Sequence, residues 1–229
     1  TYIYLVSLNI FIMFTMRRKY MILLYGYLFY YIAAAIGISI GYHRYFSHRT
    51  FETHVFFEYI FLFFGLICGG RSLLTWAGVH RMHHMNSDTI HDPHSPTFMG
   101  AKKVLLSLWK IKYIPRKHVR DLILNPRVCF FHRYGKYIHI AYTAFILFFG
   151  LQALFIFVIF PYIFSWIGFG SLNYFAHRNG NPINIPIANI ISVSEGWHLN
   201  HHNNPSHYRV HKYDFIGKLI EIFKGKQYV

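Results

Sequence analysis

Charge is what this sequence has least of. Only 14% of its 229 residues are Asp, Glu, Lys or Arg, and just 8 of them are acidic. A soluble domain of this size needs a charged surface, so that class is disfavoured. Cysteine is scarce too. Cys68 and Cys129 are the two present, and neither sits in a Cys-x-x-Cys. That excludes a disulfide framework or a cysteine-rich zinc site and leaves free, inert thiols. Carboxylates are too few for a soluble di-iron bundle: Glu195-x-x-His198 is the one Glu-x-x-His motif, and its partner glutamates are missing. There is no repeat of solenoid period and no low-complexity tract. The chain begins at Thr1 and enters an apolar run without a basic leader or a small-residue cleavage site, so no signal peptide is expected.

What the sequence does have is apolar and aromatic surface. Hydrophobic residues make up 54% and aromatics 21%, with 24 Phe and 19 Tyr. Lipid is the simplest cover for such a surface. The net charge of +15 is read as the Lys/Arg excess of a cytoplasmic membrane face, with no nucleic-acid partner.

Five apolar stretches stand out, at about residues 2–15, 21–41, 55–70, 137–160 and 162–176, the last two separated by Pro161. The second has 21 residues without a charge, about 31 Å of helix, which is one bilayer core. Histidine clusters follow the second, third and fifth stretches. If they share one site they share one side of the bilayer, so 55–70, which carries Glu58, is expected to be interfacial or re-entrant. The predicted fold is all-α and integral to the membrane. Four transmembrane helices (2–15, 21–41, 137–160, 162–176) form two hairpins under a histidine-rich helical cap. Only Arg17, Arg18 and Lys19 of the 23 Lys and Arg fall on the other side, which makes the cap cytoplasmic. The basic stretch 101–136 reads as helical with breaks at Pro115 and Pro126, and 179–186 as a loop.

The chemistry resides in the histidines. His80-Arg-Met-His83-His84 and His198-Leu-Asn-His201-His202 are both HxxHH, and positions i, i+3 and i+4 share a helix face. Three imidazoles from each can converge on one or two metal ions; iron, zinc, copper and nickel all accept this ligand. His43-Arg-Tyr-Phe-Ser-His48 is different. A five-residue step on a regular α-helix makes the rings diverge by about 140°. Either the helix distorts near Ser47 or the two residues serve different metals.

With these boxes in view, the chain resembles the membrane fatty-acid desaturases, above all the acyl-CoA delta-9 branch. Gly41-Tyr-His-Arg-Tyr-Phe-Ser-His-Arg-Thr50 is similar to the first box of that family. His80–His84 followed by Ser87-Asp-Thr-Ile-His-Asp-Pro-His94 is similar to its second box and tail. Glu195–Pro205 is similar to its third box, and Asn173-Tyr-Phe-Ala-His177 to a short motif that supplies one further ligand. The resemblance runs from about Tyr30 to Phe223 and implies a single membrane desaturase domain over 1–229. It implies nine ligands, His43, His48, His80, His83, His84, His177, His198, His201 and His202, with Asn173 acting through water. The metals would be two irons, O2 the co-substrate, and an external carrier of cytochrome b5 or ferredoxin type the electron donor. Asp92 and Glu195 are candidate carboxylates behind the ligand rings, and the imidazoles of His91 and His94, in the tail of the second box, are candidates to stand behind them as well. His207 and His211 are placed beside the third box, and His54, His118, His132 and His139 in structural or surface roles. Trp76 matches a residue that lines the acyl tunnel.

The implied substrate is a fatty-acyl chain carried on CoA or lipid. The implied setting is a multi-pass protein of a bacterial inner membrane or endoplasmic reticulum. Two departures bear on the carrier and the donor. Met99-Gly-Ala-Lys-Lys103 stands where relatives have a His followed by Gly-Trp, and no His-Pro-Gly-Gly haem motif is present, so no fused cytochrome b5 domain is expected. Lys102, Lys103, Lys110, Lys112, Arg116 and Lys117 fit positive-inside bias better than a carrier-phosphate site. Two competing functions are a histidine-box hydroxylase of fatty acids, alkanes or sterols, and a membrane metal transporter. A transporter would place its ligands inside the spanning segments.

Overall fold

The computed structural model describes the backbone of residues 2–111 and 113–224, and the side chains of residue 17 and of 19–111 and 113–224. Among these the chain is helical throughout. An isolated bridge between Thr53 and Lys224 is the one strand-like pairing.

Helix α1 (Tyr2–Ala34) runs on into a π-wound segment, Ala35–Ser47. The turn expected between 2–15 and 21–41 is not made. Met16, Arg17, Arg18 and Lys19 are good helix formers, and no Gly, Pro or Asn interrupts them. The side chains of the expected first span, 2–15, lie outside the described residues. Small residues let the π-wound segment pack against α2 (Val55–Gly65). A Cβ on Gly37 would come within 2.1 Å of the Gly65 backbone nitrogen, so only glycine allows this close approach.

Helix α2 ends in a π turn, Leu66–Gly70, and α3 (Leu73–Asn86) then leaves at 77°. A bend of this size is compatible with a broken span as well as with the re-entrant segment expected at 55–70. Glu58 on α2 is only 6% exposed. Its charge is matched by Arg127 at 2.8 Å, and Asn125 and Tyr45 donate to it at 2.8 and 2.9 Å.

The stretch 101–136 is less helical than expected. It has a short helix at Ala101–Leu105, an irregular passage, and brief turns at Arg116–His118 and Arg120–Ile123. Pro126 opens α4 (Pro126–Phe148) at its first turn, where its missing N–H costs nothing. Asn125 caps that turn by accepting from the N–H groups of Arg127 and Val128.

The expected spans 137–160 and 162–176 need correction. The chain turns at Phe149–Gly150, where Gly150 takes φ 97°, and α5 (Leu151–Phe175) runs straight through Pro161. The proline is tolerated for two reasons. The preceding segment, Phe155–Ile159, is π-wound. The carbonyl that Pro161 cannot serve, that of Phe157, accepts instead from the Tyr142 hydroxyl at 2.8 Å.

Among the described residues two helices are therefore long and apolar enough to cross a membrane, Lys19–Ser47 and Leu151–Phe175. The bent pair Val55–Gly70 and Leu73–Asn86 makes a third if it counts as one span. The all-helical fold agrees with expectation, and this count of two to three stands beside the four spans expected. Leu23, Leu24, Leu28 and Ile32 on α1, with Ile163, Trp166 and Ile167 on α5, face outward, as lipid-facing positions do. Two short helices complete the described fold, α6 (His198–Asn203) and α7 (Phe215–Phe223).

Candidate metal centre

The nine histidines meet. They form two abutting groups, each with its ring nitrogens within 4.8 Å of one another: His43, His48, His80, His84 and His201, and His83, His177, His198 and His202. His84 of the first stacks on His202 of the second with ring centroids 4.3 Å apart.

The spacing of the first box is explained by the backbone. In a π-helix the N–H of residue i+5 bonds the carbonyl of residue i, and residues five apart come nearly into line. The His48 N–H donates to the His43 carbonyl at 3.1 Å, and the two rings lie 5.0 Å apart on one side. The helix distorts over a longer stretch than the region of Ser47, and both residues serve the same group. The two HxxHH boxes are shared out reciprocally. On α3 the i, i+4 pair His80 and His84 enters the first group and His83 the second. On α6 the i, i+4 pair His198 and His202 enters the second and His201 the first.

The Nε2 atoms face one another at short range. His43 and His201 are 3.0 Å apart, His48 and His80 2.7 Å, and His84 and His201 2.9 Å. His177 and His198 are 2.7 Å apart, His198 and His202 3.2 Å, and His83 and His202 3.3 Å. Hydrogen bonding does not account for this. His83 gives its Nδ1–H to Asp92 at 3.0 Å and His177 gives its Nδ1–H to Asp88 at 2.9 Å. In neutral rings both Nε2 atoms then carry lone pairs pointed inward. Lone pairs converge where a cation lies between them. Two nitrogens each ~2.1 Å from one ion lie about 3.0 Å apart at right angles and about 3.4 Å apart at the tetrahedral angle. The observed separations, 2.7 to 3.3 Å, lie within this range or up to 0.3 Å short of it, so the donor set fits metal ions after a small outward shift of the closest rings.

Both expected carboxylates stand behind the rings. Asp92 holds His83 and accepts from the backbone N–H groups of Asp88 and His94. Glu195 lies 2.8 Å from Nδ1 of His43 and is itself clasped by Arg44 at 3.1 Å and by the Ser39 hydroxyl. Burial alone would raise the Glu195 pKa; Arg44, with His43 and Ser39, overcomes it and holds the carboxyl at about 2. Arg44 also pairs with the fully buried Asp214 at 3.2 Å. Burial, reinforced by neighbouring rings, pushes His198 and His201 far below the ordinary imidazole value and His202 to about 3. These rings are neutral at pH 7, the form that binds metal.

Asp88 is a further carboxylate behind the rings, not among those expected from the sequence. Its left-handed backbone, at φ 60°, lets it reach His177, 89 positions away. Ser39, Arg44 and Asp214 were missed as well; a charged Arg44 directly after a ligand was the available signal. His94 is buried and stacks on His83 at 4.3 Å, whereas His91 is exposed. His211 stacks on Trp197, next to the third box, at 3.7 Å. His54 caps α2.

Asn173 is not hydrogen-bonded to any of the nine rings. It sits one turn before His177, on the wall of a cavity of about 220 Å³ between α5, α3 and the Leu66–Gly70 turn. Trp76 lines the same cavity and stacks on His80 at 5.1 Å. Of the basic cluster, Lys117 joins Arg49, Arg81 and Arg120 around an open surface pocket, and Lys112 lies outside the described residues.

Fold and site together define a helical membrane protein with a polyhistidine metal centre. No family model matches the chain. Curated relatives do. The sn-1 stearoyl-lipid 9-desaturase of Anabaena variabilis is 28% identical over 76% of this chain and 69% of its own length. The enzyme of the same name from Synechocystis sp. is 31% identical over 77% of this chain and 59% of its own. The acyl-CoA C20 Delta5-desaturase of Anemone leveillei is 29% identical over 76% and 60%. The chain thus spans about three fifths to two thirds of the relatives it matches, and these homologues are named fatty-acyl desaturases, which are oxidoreductases.

Proposed function

We propose that the chain is an oxygen-dependent fatty-acyl desaturase, working with two irons held by the nine histidines, and that it introduces a double bond into a chain carried on CoA or lipid. The carrying observation is the convergence of nine Nε2 atoms, two of them fixed as inward acceptors by Asp88 and Asp92. When bound, the irons would supply the redox chemistry by which O2, two electrons and two protons become two waters while adjacent methylenes lose two hydrogens.

The protein's part is to orient and to dry. Asp88, Asp92 and Glu195 fix the ring orientations. Asn173 is suited to hold a water near His177. The apolar cavity walled by Trp76, Phe169 and Trp166 takes a stretch of acyl chain and passes it beside His80. Electrons come from a separate carrier of cytochrome b5 or ferredoxin type. The pocket lined by Arg49, Arg81, Lys117 and Arg120 stays net positive although Asp121 pairs with Arg49 and Arg81, and it offers an acidic carrier a landing site close to His48 and His80, since Arg81 follows His80 and Ser47 precedes His48. The Lys/Arg excess supports a histidine cap on the cytoplasmic side of a bacterial inner membrane or a reticulum, with Val55–Gly70 at the interface.

Expression in a host lacking its own desaturase, with the fatty acids profiled by mass, tests the reading. The expected product is two mass units lighter than its precursor. A product sixteen units heavier assigns a hydroxylase instead, and unchanged lipids in the presence of iron, O2 and a working donor overturn the proposal.

A further inference from the structure

Between His177 and Glu195 the chain makes an excursion that the metal site does not require. Its turn, Pro186–Ile190, and the following Ile191 expose only apolar side chains: Pro186, Ile187, Ile190 and Ile191. Ile187 is 71% exposed, which in water would be an unfavourable arrangement for four such residues side by side.

The backbone of this turn is satisfied from within. The Ala188 carbonyl accepts from the N–H groups of Ile191 and Ser192 at 2.9 and 2.7 Å, and the Asn189 carbonyl from that of Ser194 at 3.3 Å. The next two carbonyls are met by hydroxyls of α1, that of Ile190 by Tyr27 at 2.8 Å and that of Ile191 by Tyr30. The Asn189 side chain accepts from the Gly196 N–H at 2.7 Å. Irregular backbone is tolerated inside a bilayer where its polar groups are paired within the protein, and the Ala188 to Ile191 carbonyls meet that condition.

Position agrees with composition. Tyr27 and Tyr30 lie within the candidate span Lys19–Ser47, and the other side of the turn rests on Gly168 of the candidate span Leu151–Phe175. A Cβ on Gly168 would come within 2.7 Å of the Ile191 carbonyl oxygen, so the seat is tight.

We infer that Pro186–Ile191 is a lipid-embedded wedge, seated between the two spans with Ile187 and Ile190 directed into acyl chains of the bilayer. The partner is the apolar lipid interior rather than a protein. The wedge is tied directly to the site, because Asn189 binds Gly196 and Glu195 between them backs His43. This inference does not depend on the proposed enzymatic activity, and its test does not measure that activity.

The test is a nitroxide at Ile187→Cys in a Cys129→Ser background, Cys68 being fully buried. The protein is held as a single copy in lipid nanodiscs, and accessibility to O2 and to a water-soluble nickel chelate is read by power saturation. High access to O2 with little to nickel is the expected result. Greater access to nickel overturns the inference, and so does shielding from both, which would mean protein covers the turn. Ile187→Ser supplies a variant milder than an introduced charge. With the label moved to Ile190→Cys, it should shift accessibility toward nickel, and an unchanged ratio would count against lipid contact.

Discussion

The five-histidine group draws its rings from the π-wound end of α1, from α3 and from α6, whereas the four-histidine group takes one from α3, one from the turn after α5 and two from α6. Their outer support differs in charge. Behind the first stands one carboxylate, Glu195, whose charge is already shared with the buried Arg44. Behind the second stand two, Asp88 and Asp92, with no Lys or Arg among their hydrogen-bond partners and only a serine and backbone N–H groups besides the rings. The first is therefore fixed through a structural ion network, and the second places net negative charge against whatever cation its rings hold.

The largest effect should come from removing a ring. His84→Ala and His202→Ala strike one group each, and both are expected to lower desaturated product and iron per polypeptide on the order of 100-fold or more. Product lost from only one of the two would break the idea that both groups serve one reaction.

A smaller effect separates the carboxylates. Asp88→Asn and Asp92→Asn should weaken metal retention by roughly 10- to 100-fold with little change in melting temperature. Glu195→Gln should instead lower the melting temperature of the metal-free protein, because Arg44 loses half of its buried pairing. Chelator titration beside thermal melting checks this, and identical behaviour of all three variants would erase the distinction drawn above.

The mildest effect is that of pH. His198, His201 and His202 have folded pKa values below the unfolded value of ~6.5, so the unfolded chain binds more protons as pH falls past that point. The metal-free protein should lose stability steadily between pH 7 and pH 5, while Glu195, lowered from 4.5 to about 2, contributes little there and gives up its stabilisation mainly below pH 4.5. A melting temperature flat over that interval would mean that the rings are not neutral in the fold.

The motifs were legible because they are local. HxxHH needs only a helix, and three histidine-rich patches stand out in a chain with so little charge. What was not legible depended on distant partners. Pro161 reads as a break until Tyr142 is seen to satisfy the carbonyl it leaves free. His43 and His48 read as divergent on an α-helix, and the π-winding that aligns them comes with close packing at Gly37 and Gly65. Asp88 shows its role only through a ring 89 positions away. Arg17–Lys19 read as a connection between two apolar stretches, yet nothing in their backbone preferences ends a helix, and Tyr2–Ala34 is continuous.

The reciprocal sharing of the two HxxHH boxes has a consequence for how the centre fills. α3 and α6 each send rings to both groups, so ordering either helix around a first ion also sets part of the nest for a second. Occupancy should consequently be cooperative, with empty and doubly filled molecules outnumbering those that carry a single ion.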